Sequence, residues 1–340
     1  TFGNGSRYKT SDVTHPIHLI DKYAMSENAT RFMAINFKRE YSMTETSAII
    51  TSGNPEPSDL YILFNGVLQY DDVLTLKKGN YGYNLSRPTD FFAAATLSNF
   101  LSNAPTTQYA TINDYGTLPF LNFIPTTDDK INKIRITYYW DGGSSSEDVT
   151  QSTANGGVTT PFTNVYKYLM YFGGFPANLR NWSSTFDTAV TNGLTHYTIQ
   201  GSNTGAGTTM NTYTIQIICP NGQGYNRGYE MVRLAWLNQW GTWDYYTFTM
   251  KSIKSVSSKI NTDFVTEAEG VWLEELVNSP EVYIINGFQA DISSEVITNK
   301  YVEPVTVTTS NYIRKTKAND KLMQYTFEIE KSKMKRTQAV

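Results

Sequence analysis

The sequence predicts a mainly β fold with two β-sandwich-like domains, each carrying one short α-helix. Tyrosine occurs 24 times in 340 residues, and tyrosine, like threonine, suits the half-buried surface of a β-sheet. The last predicted strand alternates Tyr325, Phe327 and Ile329 with polar side chains, as a strand with one buried face does. Asn65-Gly66 joins two apolar runs, and this dipeptide favours the tight turn of a β-hairpin.

Length, cysteine count and charge limit the classes to which the chain can belong. The length suits two or three domains, and the single cysteine, Cys219, cannot form a disulfide within the chain. The net charge is -3, only 17% of residues are charged, and no long run of lysine and arginine is present. Nucleic acid is therefore not predicted as the main partner. No apolar stretch is long enough to cross a bilayer, so no membrane partner is predicted.

The first part of the chain predicts an arm followed by a β domain. Residues 1–30 show no sustained period and are expected to form an extended N-terminal arm, lying on this chain or on a neighbour. Residues 31–141 are expected to form the first β-sandwich-like domain. It begins with a strand that places Met33, Ile35 and Phe37 on one face. Its helix is predicted over residues 87–103, with Thr89 or Asp90 as the N-cap.

The second domain is predicted over residues 158–330, followed by a basic tail at residues 331–340. Residues 141–157, DGGSSSEDVTQSTANGG, are rich in glycine and serine and predict a flexible connection between the domains. A helix is predicted over residues 265–278, because Thr266 and Glu269 have capping-box spacing and Pro280 ends the pattern. Its predicted apolar stripe consists of Val265, Ala268, Trp272 and Leu276.

Residues 233–248, RLAWLNQWGTWDYYTF, concentrate three tryptophans, two tyrosines and a phenylalanine. They predict a β-hairpin whose turn, residues 238–242, contains Gly241. The second strand places Asp244, Tyr246 and Phe248 on one face, and Trp243 and Tyr245 on the other.

Three explanations compete for the aromatic side chains: burial by the chain's own helix, a contact between subunits, and a platform that stacks on sugars. We expect Trp243 and Tyr245 to be covered by protein, either by the helix that carries Trp272 or by a neighbouring subunit. The candidate interface residues are Trp236, Trp240, Trp243, Tyr245, Tyr246 and Phe248.

One part of this hairpin resembles a known family. The residues that carry the resemblance are Trp236, Leu237, Asn238, Gly241, Trp243, Asp244, Tyr245 and Phe248. Together they resemble a recurring motif of virion structural proteins of tailed bacteriophages. The segments TFTMKSIKS and WLEELVNSPEVYII and the C-terminal hairpin look similar too, so the resemblance covers about residues 230–330. It implies a packing protein of the tail, neck or baseplate region, and it carries over no catalytic residues.

Three motifs could indicate site chemistry, and each lacks a required part. His15 and His18 have a metal-like spacing, but Pro16 disfavours the helix that would align them. Residues 201–208, GSNTGAGT, lack the lysine of a phosphate-binding loop. Residues 141–148, DGGSSSED, could gather calcium ligands but lack the alternating acidic positions of an EF-hand. No metal site, cofactor or enzymatic activity is predicted.

The sequence as a whole predicts a non-enzymatic structural subunit of a tailed-phage particle, located in the virion and assembled through aromatic-rich β interfaces. The predicted partners are other virion proteins and copies of the chain itself. The alternative is a carbohydrate- or receptor-binding virion protein, for which a host glycan would be the partner.

Overall fold

A computed structural model gives the fold. It describes residues 23–26, 30–33, 35–51, 56–57, 61–64, 66, 85–86, 100–121, 131, 133–150, 169–202, 211–218, 230–254, 257–285, 302–309, 315–316 and 323–332. Strands dominate these residues, which confirms the predicted mainly β class.

The described part of the chain contains twenty-three strands and three helices. Those before residue 151 are β1 (Tyr23–Ser26), β2 (Thr30–Met33), β3 (Asn36–Phe37), β4 (Glu40–Tyr41), β5 (Ile50–Thr51), β6 (Glu56–Pro57), β7 (Tyr61–Phe64), β8 (Leu85–Ser86), β9 (Thr107–Ala110), β10 (Leu118–Leu121), β11 (Lys133–Trp140) and β12 (Gly143–Thr150). Those that follow are β13 (Leu169–Phe172), α1 (Pro176–Leu179), α2 (Ser184–Thr191), β14 (Leu194–Ser202), β15 (Tyr213–Ile217), β16 (Glu230–Leu237), β17 (Trp243–Lys254), β18 (Ser257–Asn261), α3 (Glu267–Asn278), β19 (Val282–Ile285), β20 (Val302–Val307), β21 (Lys315–Thr316), β22 (Met323–Gln324) and β23 (Thr326–Lys331).

A five-stranded sheet crosses the predicted domain boundary. Its order is β12-β11-β14-β15-β9, so β11 pairs with β12 on one side and with β14 on the other. The predicted boundary at residues 141–157 is therefore wrong, since Asp141 and Gly142 form the turn of a hairpin and residues 143–150 form a strand. The serine-rich composition of this segment predicted a linker. It fits a strand equally well, because β12 is an edge strand whose alternate side chains face solvent.

The core of this first unit lies between the sheet and its neighbours. Helix α2 begins at the N-cap Ser183, whose side chain accepts from the Phe186 N–H, and its Phe186 packs edge-on against the rings of Tyr138 and Tyr197. All three side chains are fully buried.

A three-stranded sheet, in the order β1-β13-β10, completes this unit. Tyr23 is only 2% exposed, and its hydroxyl donates to the Val149 carbonyl oxygen at 2.6 Å. The prediction of an extended arm over residues 1–30 is therefore wrong for residues 23–26, which form a strand paired with β13. Residues 1–22 lie outside the described residues.

The second unit is a closed barrel rather than the predicted sandwich. Its six strands follow the order β16-β17-β18-β23-β20-β19, and β19 pairs back onto β16. Closure leaves this sheet without a free edge. The barrel begins only at Glu230, because residues 169–202 and 211–218 belong to the sheets of the first unit.

Helix α3 confirms the predicted second-domain helix. Thr266 and Glu269 form the capping box, and the helix ends at Asn278, before Pro280. It adds Trp272, Leu273 and Leu276 to the barrel core. Ala268 is exposed, which corrects the predicted stripe by one position, because the buried face follows Glu269, Trp272 and Leu276.

The strands from β2 to β7 form a β-hairpin whose tip is exposed. Strands β2 and β7 pair antiparallel, as do β3 with β6 and β4 with β5. Near its base, Gly66 lies against the turn of the β16-β17 hairpin, where a Cβ atom would approach the Gln239 carbonyl oxygen to 1.9 Å. Only a residue without a side chain fits at this contact.

Several predicted features fall wholly or partly outside the described residues. They are the second run of the Asn65-Gly66 hairpin, His15 and His18, most of the loop at residues 201–208, and the tail beyond Ser332. The helix predicted over residues 87–103 is described only from Phe100, which forms a β-bridge with Phe120. Residues 100–103 are not helical, which corrects the end of that helix.

The crossing sheet predicts that residues 1–141 do not fold by themselves. In that fragment β11 would lose β12 and β14, both of its neighbours. We expect no cooperative transition in a thermal melt followed by circular dichroism. A fragment of residues 1–218, which keeps all five strands, should retain a strand spectrum and a transition. Cooperative unfolding of the shorter fragment would contradict the sheet order.

Candidate functional site

The aromatic hairpin forms as predicted. Strands β16 and β17 pair antiparallel, with Leu237 opposite Trp243. The Asn238 N–H donates to the Thr242 carbonyl oxygen at 2.8 Å across the turn. Gly241 has a φ of 72°, a left-handed conformation that glycine adopts without steric cost.

Asn238 holds this turn and joins it to the first unit. Its Oδ1 accepts from the Trp240 N–H at 3.0 Å and from the Thr242 N–H at 3.1 Å. Its Nδ2 donates to the Leu101 carbonyl oxygen at 3.0 Å and to Asp244 Oδ1 at 3.0 Å. Because Asn238 is only 1% exposed, losing it would leave several buried polar groups without partners.

Asp244 extends this network to helix α3. Its Oδ2 accepts from the Trp272 indole N–H at 2.7 Å, and Trp272 in turn packs against Trp236 with ring centroids 5.0 Å apart. Burial raises the pKa of Asp244 to about 6, an effect that hydrogen bonds from Ser102, Trp272 and Asn238 oppose. Asn238, Asp244 and Trp272 therefore join the turn, the barrel interior and the helix.

The other face of β17 is also covered by protein, as predicted, but not by helix α3. Trp243 is 3% exposed and packs edge-on against Tyr283 at 5.5 Å. Tyr245 is 6% exposed; it lies 5.8 Å from the ring of Phe175, and its hydroxyl is 3.3 Å from that of Thr117. The cover comes from β19 and from the first unit, because the helix packs on the opposite face of the strand.

A buried arginine, which the sequence reading missed, lies at the junction of the two units. The Arg233 guanidinium donates through Nε to the Tyr115 carbonyl oxygen at 2.7 Å and through Nη1 to Thr247 Oγ1 at 2.8 Å. Nη1 lies 3.5 Å from Asp114 Oδ2. Burial lowers the pKa of Arg233, and the Asp114 charge opposes this. A single arginine within the apolar run MVRLAW was the available signal.

Two rings and a small cavity complete the surroundings of Arg233. Its guanidinium carbon lies 4.6 Å from the centroid of the Phe175 ring and 5.3 Å from that of Tyr245. The cavity beside it has a volume of about 220 Å³, less than the roughly 300–1,000 Å³ of typical small-molecule sites. The junction therefore has the character of an internal packing site. The cavity is lined by Thr111, Asn113, Asp114, Tyr115, Met231, Arg233, Thr247 and Ile285.

These contacts correct the predicted interface residues. Trp236, Trp243, Tyr245 and Phe248 are at most 6% exposed, so they face neither a subunit nor a sugar. Trp240 and Tyr246 are half-buried. The density of aromatic residues in this stretch reflects two packed faces of one strand, one inside the barrel and one against β19 and the first unit.

Two carboxylates of residues 141–148, the segment in which calcium ligands were considered and not predicted, contact other side chains. Asp148 accepts from Arg135 Nε at 2.7 Å and from Lys133 Nζ at 2.8 Å, and the hydrogen bond from Arg135 is the main cause that lowers the pKa of Asp148 to about 2. Glu147 accepts from the Tyr138 hydroxyl at 2.5 Å. Within the described ranges, no cluster of three His, Cys, Asp or Glu residues could hold a metal ion.

Among the described residues, no helix combines the length and the apolar character needed to cross a bilayer.

Exposed apolar side chains concentrate instead on a hairpin that follows β1 in the chain. We use the name exposed hairpin for residues 35–51 and 56–57; residues 35–50 are all exposed. Six large apolar side chains lie there, whereas the rest of the described chain exposes only Tyr109, Phe264 and Val271. The six are Ile35 (43%), Phe37 (60%), Tyr41 (49%), Met43 (77%), Ile49 (70%) and Ile50 (40%).

Comparison with known proteins assigns no family. No protein-family model matches the chain, and no curated protein matches it significantly.

The raised pKa of Asp244 predicts a pH-dependent stability. The folded state holds the proton more tightly than the unfolded state, whose carboxyl has a pKa of about 3.9. The resulting stabilisation is complete below about pH 4 and is lost as the pH rises through about 6. Relative to Asp244→Asn, which cannot titrate, the parent should lose up to about 3 kcal/mol of unfolding free energy across this window.

Urea unfolding at pH values between 4 and 7 would measure this difference. The variant should be less stable than the parent at each pH, because the amide replaces one of the two acceptor oxygens by an NH2 group, which would face the donor of Asn238 or of Trp272. A gap between parent and variant that stays constant over the window would contradict the assignment.

Burial of Trp243 and Tyr245 predicts that each is needed for stability. Trp243→Ala and Tyr245→Ala should each cost about 3–5 kcal/mol, as large-to-small changes at buried aromatics do. Tyr109→Ala, at a side chain that is 50% exposed, is the matched control and should cost much less. The measurement is chemical unfolding of the three variants. Parent-like stability of the first two would show that these rings are not packed against protein.

Proposed function

We propose that the chain is a non-enzymatic structural subunit of a tailed-phage particle, from the tail, neck or baseplate region. The exposed hairpin carries this proposal. Monomeric proteins rarely leave extended apolar patches in water, and such patches mark surfaces that bind other proteins. Two-stranded hairpins are also marginally stable alone. A subunit that completes its fold by contact with a neighbour accounts for both features.

The aromatic motif supports this proposal in a different way from the one the sequence suggests. The motif residues Asn238, Asp244 and Trp236 lie inside the chain and tie the barrel to the first unit. Their role is to keep the subunit rigid. The assembly surface is then the exposed hairpin, which projects the apolar residues that the barrel does not use.

The alternative, a carbohydrate- or receptor-binding virion protein, needs open aromatic rings. Trp243 and Tyr245, the rings first considered for a platform, are buried. Exposed aromatic rings remain at Phe37, Tyr41, Tyr109 and Phe264, and of these Phe37 and Tyr41 share the exposed hairpin.

Three measurements separate the two functions, and two of them use the purified chain. Light scattering over a range of concentrations should show association, and a glycan array should show no binding. Antibodies against the chain should label the tail, neck or baseplate of phage particles in electron micrographs. Glycan binding by a chain that stays monomeric, together with no labelling of particles, would refute the structural role.

A further inference from the structure

We infer that the last part of the basic tail, residues 333–340, binds the outward side of helix α3 of the same chain. We use the name tail segment for these residues, whose sequence is KMKRTQAV and which lie outside the described residues. The contact is within one chain, so it goes beyond the proposed function and does not depend on it.

Helix α3 has a second side, opposite the one that packs into the barrel core. Residues three and four apart share one side of a helix, and four such residues form what we call the outer face: Glu267, Ala268, Val271 and Glu274. The first two are exposed and Glu274 is half-buried, while Val271 is 64% exposed. Residues 257–285 are all described, so the structure includes the helix and both of its flanks.

The outer face combines one apolar side chain with two carboxylates. Glu267 and Glu274 are seven residues apart, which corresponds to about 10.5 Å along the helix axis. Val271 lies between them. No described residue forms an ion pair with either carboxylate. A ligand for this face therefore needs two cations about 10 Å apart with an apolar group between them.

The tail segment has this pattern. Lys333 and Arg336 are three residues apart, which is about 9–10 Å in an extended chain at roughly 3.1–3.3 Å per residue. Met334 stands between them, and its flexible side chain adapts to irregular apolar surfaces. In an extended chain of the polyproline II type, residues three apart lie on the same side, so both cations can face the helix.

The tail segment begins beside the strand that follows helix α3. Lys331 stands opposite Val305, and Val305 stands opposite Val282. Because neighbouring strands are about 4.8 Å apart, Lys331 lies about 10 Å from Val282, the first residue of β19. The helix ends four residues earlier, at Asn278. The tail segment spans up to about 26–29 Å when extended, so it can reach the outer face and follow it.

Attachment to the same chain favours this segment over that of a second copy. An exposed ion pair contributes little, so two ion pairs and one apolar contact give only weak binding between separate molecules. A short connection within one chain gives an effective concentration in the millimolar range, far above the concentration of a purified protein at micromolar levels. The outer face is therefore assigned to the tail segment of its own chain.

Limited trypsin digestion of the intact chain measures this binding. Trypsin cleaves after the basic residues of the tail segment, and binding to the helix should slow these cleavages. Glu267→Gln combined with Glu274→Gln removes both carboxylates and should speed them about twofold or more. Glu40→Gln combined with Glu45→Gln is the matched control, because it makes the same charge change on the exposed hairpin and should leave the rates unchanged. Mass spectrometry of the released fragments gives the rates.

A cysteine pair tests the position and the chain from which the segment comes. In a Cys219→Ser background, Val271→Cys with Met334→Cys should form a disulfide under mild oxidation, and the product should run as a monomer without free thiols. Ser144→Cys with Met334→Cys is the matched control, because Ser144 is exposed on β12 of the first unit, and it should give little disulfide.

Three results would overturn the inference. The first is a disulfide that joins two chains, which would assign the outer face to the tail segment of a second copy. The second is no disulfide, or equal yields from the two cysteine pairs. The third is equal cleavage rates in the two glutamine variants. Thermal unfolding of each variant checks that it is folded, and the changes on helix α3 are all at exposed or half-buried positions.

Discussion

The buried hydrogen bonds of Asn238 are the constraint on which the rest of the structure depends. One amide side chain satisfies the turn through its oxygen, while its nitrogen reaches both Leu101 of the first unit and Asp244 of the barrel. Asp244 then holds Trp272 of helix α3. A buried polar group that lacks a partner is costly, so these residues fix the barrel, the helix and the first unit in one arrangement. The packing of Trp236 against Trp272 follows from this arrangement.

Arg233 adds a second polar contact at the same junction. Apolar side chains in a barrel wall would accept several relative positions of the two units. A guanidinium that contacts Asp114, Thr247 and the Tyr115 carbonyl oxygen accepts few, because its donors have a fixed fork geometry. Taking this charge out of water is unfavourable, which the lowered pKa of Arg233 reflects, and the rings of Phe175 and Tyr245 offset part of that cost.

Burial divides the aromatic residues of the chain into two sets with different roles. Those of β16, β17 and α3 are enclosed and give the subunit a rigid body. Those of the exposed hairpin remain in water, although a ring gains about 1.5–3 kcal/mol when it is fully buried. The gain still open to Phe37 and Tyr41 is the physical basis for the proposed assembly. A rigid body with a separate apolar extension suits a protein that folds first and then binds its neighbours.

The sequence by itself determined the elements whose signal is local. The alternation of Tyr325, Phe327 and Ile329, the capping box of Thr266 and Glu269, and the hairpin turn at Gly241 each depend on neighbouring residues, and all three are present. Only the tertiary structure decided which residues cover each face of a strand or helix. Pairing of β11 with β14, closure of β19 onto β16 and the contact of Arg233 with Asp114 join residues far apart in the chain, and composition does not record such partners. The serine-rich sequence of β12 predicted a linker for the same reason. An edge strand differs from a loop only in its pairing with the neighbouring strand, which composition does not show.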